Sequence, residues 1–204
     1  AVAAVAAVGR GSRRTAGSDR IRTGTPRRAR GTQPWIFRAT PAGAEGPVGM
    51  KKDVFAAVRA DDPHGVAAAL EEDAAALDAT GPGGQSPLMH AVLQGKLLAA
   101  EALLKRGADV TIAEKDGYTP MHGAGFQGRA KIAKLLFEHG VALDDVHADG
   151  HRPIQRACWG REKRHAETVR VMLDLGAALD ADECQTRNPW LRAVLDEAFN
   201  KEDL

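Results

Sequence analysis

One motif returns along this chain at a fixed step of 33 residues, and this step limits the folds that the chain can form. The copies begin at Gly84, Gly117 and Gly150 and read GQSPLMHA, GYTPMHGA and GHRPIQRA. An apolar stretch follows each copy. Regular periods of this length are typical of solenoids, in which each unit buries its apolar side against its neighbours. The period therefore predicts a stack of similar units.

The residue pattern within each unit predicts two helices. Serine or threonine followed by proline is a common helix start, because the side chain caps a free N–H and proline lacks one. Small residues at Ala91, Ala124 and Ala157 allow helices to approach closely. A second apolar helix then ends at a glycine, which readily adopts the left-handed conformation of a C-cap; these glycines are Gly107, Gly140 and Gly176. The expected fold class is all-α.

These features together resemble ankyrin repeats over about residues 51–204. The resemblance rests on the 33-residue step and on two motifs. These motifs are the Thr-Pro-Met-His box ending at His122 and the Leu-Leu-Lys-Arg-Gly-Ala-Asp stretch ending at Asp109. Met89 and Gln155 replace the box histidine in the other copies, and one unit has three extra residues within 160–164. The resemblance implies an all-α solenoid of stacked helix-turn-helix units.

The repeat register predicts where each unit begins and ends. Residues 50–204 form the expected repeat domain, in which a degenerate unit lacking the Thr-Pro box caps the N-terminal end and a partial unit caps the C-terminal end. The expected units are 50–82 (N-terminal cap), 83–115, 116–148 and 149–184 (central repeats), and 185–204 (C-terminal partial cap).

Residues 1–49 differ from the rest in composition. They contain nine arginines and two acidic residues, a net charge of +7, whereas residues 50–204 have a net charge of −6. Few large apolar residues are present to offset the entropy of ordering, so a disordered tail is expected. An organelle transit peptide, a basic arm for an anionic surface, and a gene-model extension upstream of Met50 all remain open interpretations. Nucleic-acid binding is the least favoured, since an arginine-rich tail alone is a weak signal.

Composition favours an intracellular protein, cytoplasmic or nuclear, or organellar if the tail is a transit peptide. No apolar run is long enough to span a membrane. The two cysteines, Cys158 and Cys184, are too few for a disulfide framework and lack the spacing of a metal site, which favours a reducing compartment.

Three patterns that could indicate chemistry have simpler explanations. Residues 123–128 match GxGxxG, but a helix start precedes them where a dinucleotide site needs a strand. His147 and His151 flank a turn and do not share a helix face, so no metal is expected. Cys158 and His165 lack a third group that would orient a catalytic pair. We therefore expect no enzyme activity, no cofactor and no metal.

The resemblance also implies a binding surface, because ankyrin proteins hold partners on a concave surface made of finger-like turns and inner helices. Three apolar residues recur at the variable position near the end of each first helix, 33 residues apart, and could anchor a partner or pack as core. These are Leu93, Phe126 and Trp159. The variable turn positions are Gln85, Lys115, Asp116, Tyr118, Asp149, His151 and Arg187.

The expected function is a protein-protein interaction module that acts as a scaffold or adaptor. The turns are rich in acidic residues, so a basic or mixed-charge protein partner is favoured. The alternative is a regulatory or inhibitory subunit that covers the active site of an enzyme. A fold of this class does not by itself identify the partner.

Overall fold

The computed structural model describes residues 53–199. Within this range the regular structure is entirely helical, which confirms the predicted all-α class. The predicted disorder of residues 1–49 lies outside the described residues. The α-helices are α1 (Val54–Ala60), α2 (Pro63–Glu72), α3 (Pro87–Gln94), α4 (Leu97–Leu104), α5 (Pro120–Gln127), α6 (Ala130–Glu138), α7 (Pro153–Cys158), α8 (Lys163–Asp174) and α9 (Pro189–Phe199). Short 3-10 helices are Ala74–Leu77, Pro82–Gly84 and Ala181–Glu183.

The helices form four consecutive pairs followed by α9. The first helices of the pairs, α1, α3, α5 and α7, pack side by side, and so do the second helices α2, α4, α6 and α8. Helix α9 packs against α8. The described part of the chain is therefore a two-layer stack of helix pairs. Each pair packs against its neighbours, as expected of a solenoid.

The helix starts follow the caps that the sequence indicates. The hydroxyl of Ser86 accepts a hydrogen bond from the N–H of Met89 (3.2 Å), and proline occupies the first turn of α3, α5 and α7. Thr119 differs, because its hydroxyl bonds to the ring of His122 (2.8 Å) instead of capping α5. The degenerate first pair has aspartate caps in place of the Thr-Pro box: Asp53 and Asp62 each accept a backbone N–H.

Two kinds of glycine matter to the stack. Gly140 has φ +84°, the left-handed conformation that ends the second helix of its pair, and the glycines that end the other central pairs do the same. Gly125 lies inside α5, where a Cβ atom would overlap the carbonyl oxygen of Pro153 at the start of α7. The absence of a side chain at Gly125 therefore allows α5 and α7 to pack closely.

The core is a continuous ladder of fully buried side chains that follows the repeat register. The first helices contribute one series and the second helices another, and the two meet between the layers. These residues are Leu88, Met121 and Ile154 from the first helices, and Leu103, Leu136 and Met172 from the second. Leu191 of α9 continues the ladder. Val58 and Val66 of the first pair are fully buried in the same core, so both caps are joined to the central repeats by apolar contacts.

The stretch 160–164, which holds the three extra residues, lies only partly between α7 and α8, because its last two residues begin α8. The extra residues move a histidine into a repeated position. Arg129 donates a hydrogen bond to the carbonyl oxygen of Leu93 in the preceding repeat (3.3 Å). One repeat later, the ring of His165 donates to the carbonyl oxygen of Phe126 (3.2 Å). His165 is buried, and burial lowers its pKa, which favours the neutral ring. The insert thus replaces an arginine by a buried histidine at an inter-repeat contact.

The cysteines differ from the sequence expectation. Cys158 and Cys184 form a disulfide, although two cysteines are too few to predict a disulfide framework and favour a reducing compartment. The residues lie 26 positions apart in sequence, with a Cα–Cα distance of 5.5 Å, within the range that a disulfide requires. Stacking of α7 against the final segment brings them together, a long-range contact that the cysteine spacing does not indicate.

Candidate functional site

The predicted apolar column is on the surface of the stack. Leu93 in α3 is half-buried, Phe126 in α5 is 37% exposed, and Trp159 directly after α7 is 49% exposed. None of the three belongs to the buried core of the described residues. Exposure increases along the column toward the C-terminal end, so the interpretation as packed core is wrong for Phe126 and Trp159, whereas Leu93 is half-buried.

The turns beside the column are closed by a repeated backbone pattern. The N–H of Glu114 bonds to the carbonyl oxygen of Tyr118 (3.0 Å), and the N–H of His147 bonds to that of His151 (3.0 Å). Neighbouring turns are also joined, because the N–H of Lys115 donates to the carbonyl oxygen of Gly83 (3.1 Å). The turns therefore form a connected edge next to the first helices.

The predicted turn residues differ in how freely they could contact a partner. Lys115, Asp116 and Arg187 are exposed. Gln85 is half-buried, and its amide group contacts Glu114 (3.4 Å) and the ring of His90 (3.3 Å). The exposed positions can contact a partner directly, whereas Gln85 is held by contacts within the stack.

Tyr118, Asp149, His151 and Trp159 meet around a buried arginine, and we call these residues together with His147 and Arg156 the Trp159 cluster. Arg156 is only 5% exposed, and its guanidinium group forms an ion pair with the carboxylate of Asp149. The same guanidinium lies 4.8 Å from the ring centre of Tyr118 and 4.6 Å from that of Trp159. Arg156 therefore holds two aromatic rings and a carboxylate in fixed positions, through cation–π and charge-assisted contacts.

Histidines complete the Trp159 cluster. The ring of His147 stacks on Tyr118, with centroids 4.1 Å apart, and the ring of His151 meets Trp159 edge-on at 5.0 Å. Both rings approach Asp149, whose carboxylate lies 2.9 Å from Nδ1 of His147 and 3.2 Å from Nδ1 of His151. Nε2 of His147 also donates to the carbonyl oxygen of Asp116 in the neighbouring turn (2.9 Å). The cluster therefore spans two repeats.

The charges in the cluster shift two pKa values in opposite directions. For Asp149, desolvation acts to raise the pKa, but hydrogen bonds from Arg156, His147 and His151 outweigh it and hold the pKa well below its ordinary value. The hydrogen bond to Asp149 raises the pKa of the His147 ring, against an opposing effect of desolvation. Asp149 is thus an anion at neutral pH, and its charge stabilises the protonated ring of His147 more than water would.

The turns also carry carboxylates that are not neutralised. Asp116, Asp145 and Asp182 are exposed, and no ion pair in the described part of the chain involves them. Burial raises the pKa of Glu114, and the negative charge of the nearby Asp116 raises it further. The exposed cations of this edge are Lys115 and Arg187. The turns therefore present an excess of negative charge.

Arg156 and His147 were not predicted as site residues. Arg156 occupies the same repeat position as His90 and Gly123, and the available signal was a charged residue in the buried helix α7. Its role depends on aromatic rings that other repeats contribute, which sequence spacing does not reveal. Nε2 of His122, the box histidine, donates to the carbonyl oxygen of His151 (3.3 Å) in the next repeat.

The patterns that could indicate chemistry have structural explanations. Residues 123–128 belong to α5 and its C-cap. Within residues 53–199 no group of three potential metal ligands is found. Cys158 is oxidised, so it offers no thiolate for a pair with His165. No helix in the described range is long and apolar enough to cross a membrane.

The paired helices, the 33-residue register and the connected turns define a class, the α-helical solenoid repeat proteins. Residues 70–124, from the end of α2 through most of α5, match the family described as "Ankyrin repeats (many copies)". The match supports an ankyrin-repeat family for this chain, and the later helix pairs continue the register of the matched residues. A comparison with curated proteins gives no match. Ankyrin repeats are in general protein-protein interaction modules.

Proposed function

We propose that this protein is a scaffold or adaptor that binds a partner protein on the surface formed by the apolar column and the Trp159 cluster. The observation that carries the proposal is the exposure of Trp159 and Phe126 beside a rigid, charge-paired cluster. Exposed aromatic residues that are held in place lose little entropy on binding, and tryptophan, tyrosine and arginine are the most frequent energetic anchors of interfaces.

The proposed partner presents a basic segment with an apolar side chain. The unpaired carboxylates of Asp116 and Asp182 favour lysine or arginine on the partner, and the aromatic column favours an apolar group between them. Opposite charge would increase the rate of association and fix the orientation of the segment, whereas burial of the aromatic rings would supply most of the affinity.

Affinity capture with the full chain tests the proposal. The test variant is Trp159→Ala, and the matched control is Trp190→Ala, because Trp190 is 50% exposed and lies outside the column register, in α9. We expect a specific partner to bind the wild type and the control. The test variant should bind about 30-fold more weakly, as is typical when an anchor residue is removed. Equal retention by both variants would refute the column as the binding site.

Charge reversal tests the partner's chemistry separately. Asp116→Lys should slow association of the captured partner, whereas Glu71→Lys, an exposed acid of α2 away from the turns, should have little effect. Equal effects of the two reversals would contradict a basic segment at the turns. If the captured partner is an enzyme that loses activity in a one-to-one complex, the protein acts as an inhibitory subunit instead of a scaffold.

A further inference from the structure

The disulfide joins the binding surface to the C-terminal end of the stack. Cys158 is the last residue of α7 and directly precedes Trp159. Cys184 follows the 3-10 helix Ala181–Glu183 and begins the irregular segment that leads to α9. The bond therefore fixes the connection to α9 against the helix that presents the most exposed residue of the column.

Few other contacts hold this connecting segment. Arg152 pairs with Glu183 (2.6 Å), and the side-chain amide of Asn188 donates to the carbonyl oxygens of Gly160 (3.0 Å) and Glu162 (3.2 Å). The residues between the 3-10 helix and α9 have no regular secondary structure, and Gln185 and Arg187 among them are exposed. Segments with few buried contacts open locally at low free-energy cost, so the disulfide contributes much of the order of this segment.

The two sulfur atoms are buried, but they differ in what surrounds them. Cys158 is 2% exposed and Cys184 is 4% exposed. Cys184 lines a shallow, solvent-open depression of about 550 Å³, together with Arg187, Arg192, Asp182 and Asp196, and Cys158 is not among the residues that line it. A volume of this size is within the range of small-molecule sites. A small thiol in the cavity would therefore reach the sulfur of Cys184 first, after a slight opening of the segment.

We propose that Cys158 and Cys184 form a reversible thiol–disulfide exchange site for a small thiol of the glutathione type. A thiolate of the small molecule attacks Sγ of Cys184, the S–S bond breaks, and Cys158 leaves as a thiolate that takes up a proton. A second small thiolate then attacks the mixed disulfide and releases Cys184, which also takes up a proton. The protein gains two electrons and two protons, and two small thiols become one small disulfide.

We expect the reduced protein to stay folded, which would make the site reversible. Leu191 and Val194 of α9 are buried against the stack, and these apolar contacts do not involve the covalent bond. What changes on reduction is the order of the segment that precedes α9 and the support of Trp159. Weaker partner binding by the reduced form is the consequence, and this consequence rests on the proposed function.

A glutathione titration tests the exchange itself. The full chain is equilibrated at different ratios of reduced to oxidised glutathione, alkylated with iodoacetamide and weighed by mass spectrometry. We expect a transition between a species with no alkylated cysteine and one with two, reached from either direction. Cysteines that stay oxidised at every ratio until the protein unfolds, or that stay reduced at every ratio, would overturn the proposal.

Hydrogen exchange tests the structural effect. On reduction, amides of residues 181–188 should exchange at least ten-fold faster, while those of α3, two repeats away from the bond, should be unchanged. Equal exchange of residues 181–188 in both forms would overturn the proposal. Because no partner is needed, failure here is distinguishable from failure of the capture experiment.

The single variants test the direction of attack. Cys158→Ala leaves the Cys184 thiol beside the cavity, and Cys184→Ala leaves the Cys158 thiol in α7. With oxidised glutathione, Cys158→Ala should form a mixed disulfide several-fold faster than Cys184→Ala. The reverse order would overturn attack through the cavity, and circular dichroism confirms that both variants are folded.

Discussion

Replacing Gly125 by alanine tests the close packing of α5 against α7, where two physical effects oppose each other. Alanine is favoured over glycine inside a helix by about 1 kcal/mol. The added Cβ, however, would overlap the carbonyl oxygen of Pro153 and lie 3.0 Å from its carbonyl carbon. These are backbone atoms, so the helices themselves must separate, and overpacking of this kind costs about 1–3 kcal/mol or more.

The structure therefore predicts that Gly125→Ala lowers the free energy of unfolding by about 2 kcal/mol despite its better helix propensity. The matched control is Gly123→Ala in the same helix. Its Cβ would lie 3.3 Å from the terminal methyl group of Met89 and 3.4 Å from a methyl group of Leu93, both at flexible ends that can move. We expect the control to be neutral or more stable by up to about 1 kcal/mol.

Urea unfolding followed by circular dichroism measures both variants against the wild type. The two effects predict different results. Helix propensity alone would make both variants more stable than the wild type. The packing contact would instead make the free energies of unfolding of the two variants differ by at least about 2 kcal/mol. If Gly125→Ala unfolds at the same urea concentration as Gly123→Ala, the separation of α5 and α7 is not limiting and the reasoning is refuted.

Three further predictions concern the cluster and a helix cap. Arg156→Met removes a buried charge-assisted contact and should lower the free energy of unfolding by about 2 kcal/mol. The control Arg170→Met breaks an exposed ion pair and should lower it by less than about 1 kcal/mol. Equal losses of stability in the two variants would contradict the role of Arg156. The pKa of His147, measured by NMR, should exceed its ordinary value of 6.5 and return toward it in Asp149→Asn. Since a raised pKa stabilises the fold fully below about pH 6.5, the contribution of His147 should be lost as pH rises through its folded pKa, and an unshifted pKa would refute the contact. Ser86→Ala should cost about 1 kcal/mol in thermal unfolding through loss of the cap of α3, and no change would show that the cap is dispensable.

The fold could be predicted because its signals are local and repeat. Proline at the first position of α3, α5 and α7 and glycine after the second helices act within a few residues of the chain. The 33-residue period then requires stacking, since one helix pair cannot bury its apolar side alone. The even spacing of Leu93, Phe126 and Trp159 likewise predicts that they form one column, although it does not predict how exposed they are.

The Trp159 cluster could be predicted only in part. The turn positions of Tyr118 and Asp149 follow from the repeat register, but their contacts with Arg156 do not. A guanidinium between two rings depends on side-chain directions in neighbouring repeats, and the register fixes backbone positions only.

The sequence by itself therefore determined the helices, their order and their stacking, because these depend on local backbone preferences repeated at a fixed interval. Only the tertiary structure decided which side chains meet across repeats. It buried His165 at an inter-repeat contact, joined Cys158 to Cys184 and left Trp159 half exposed. Each of these outcomes depends on distances between residues far apart in the chain, and the close approach of stacked helices sets those distances.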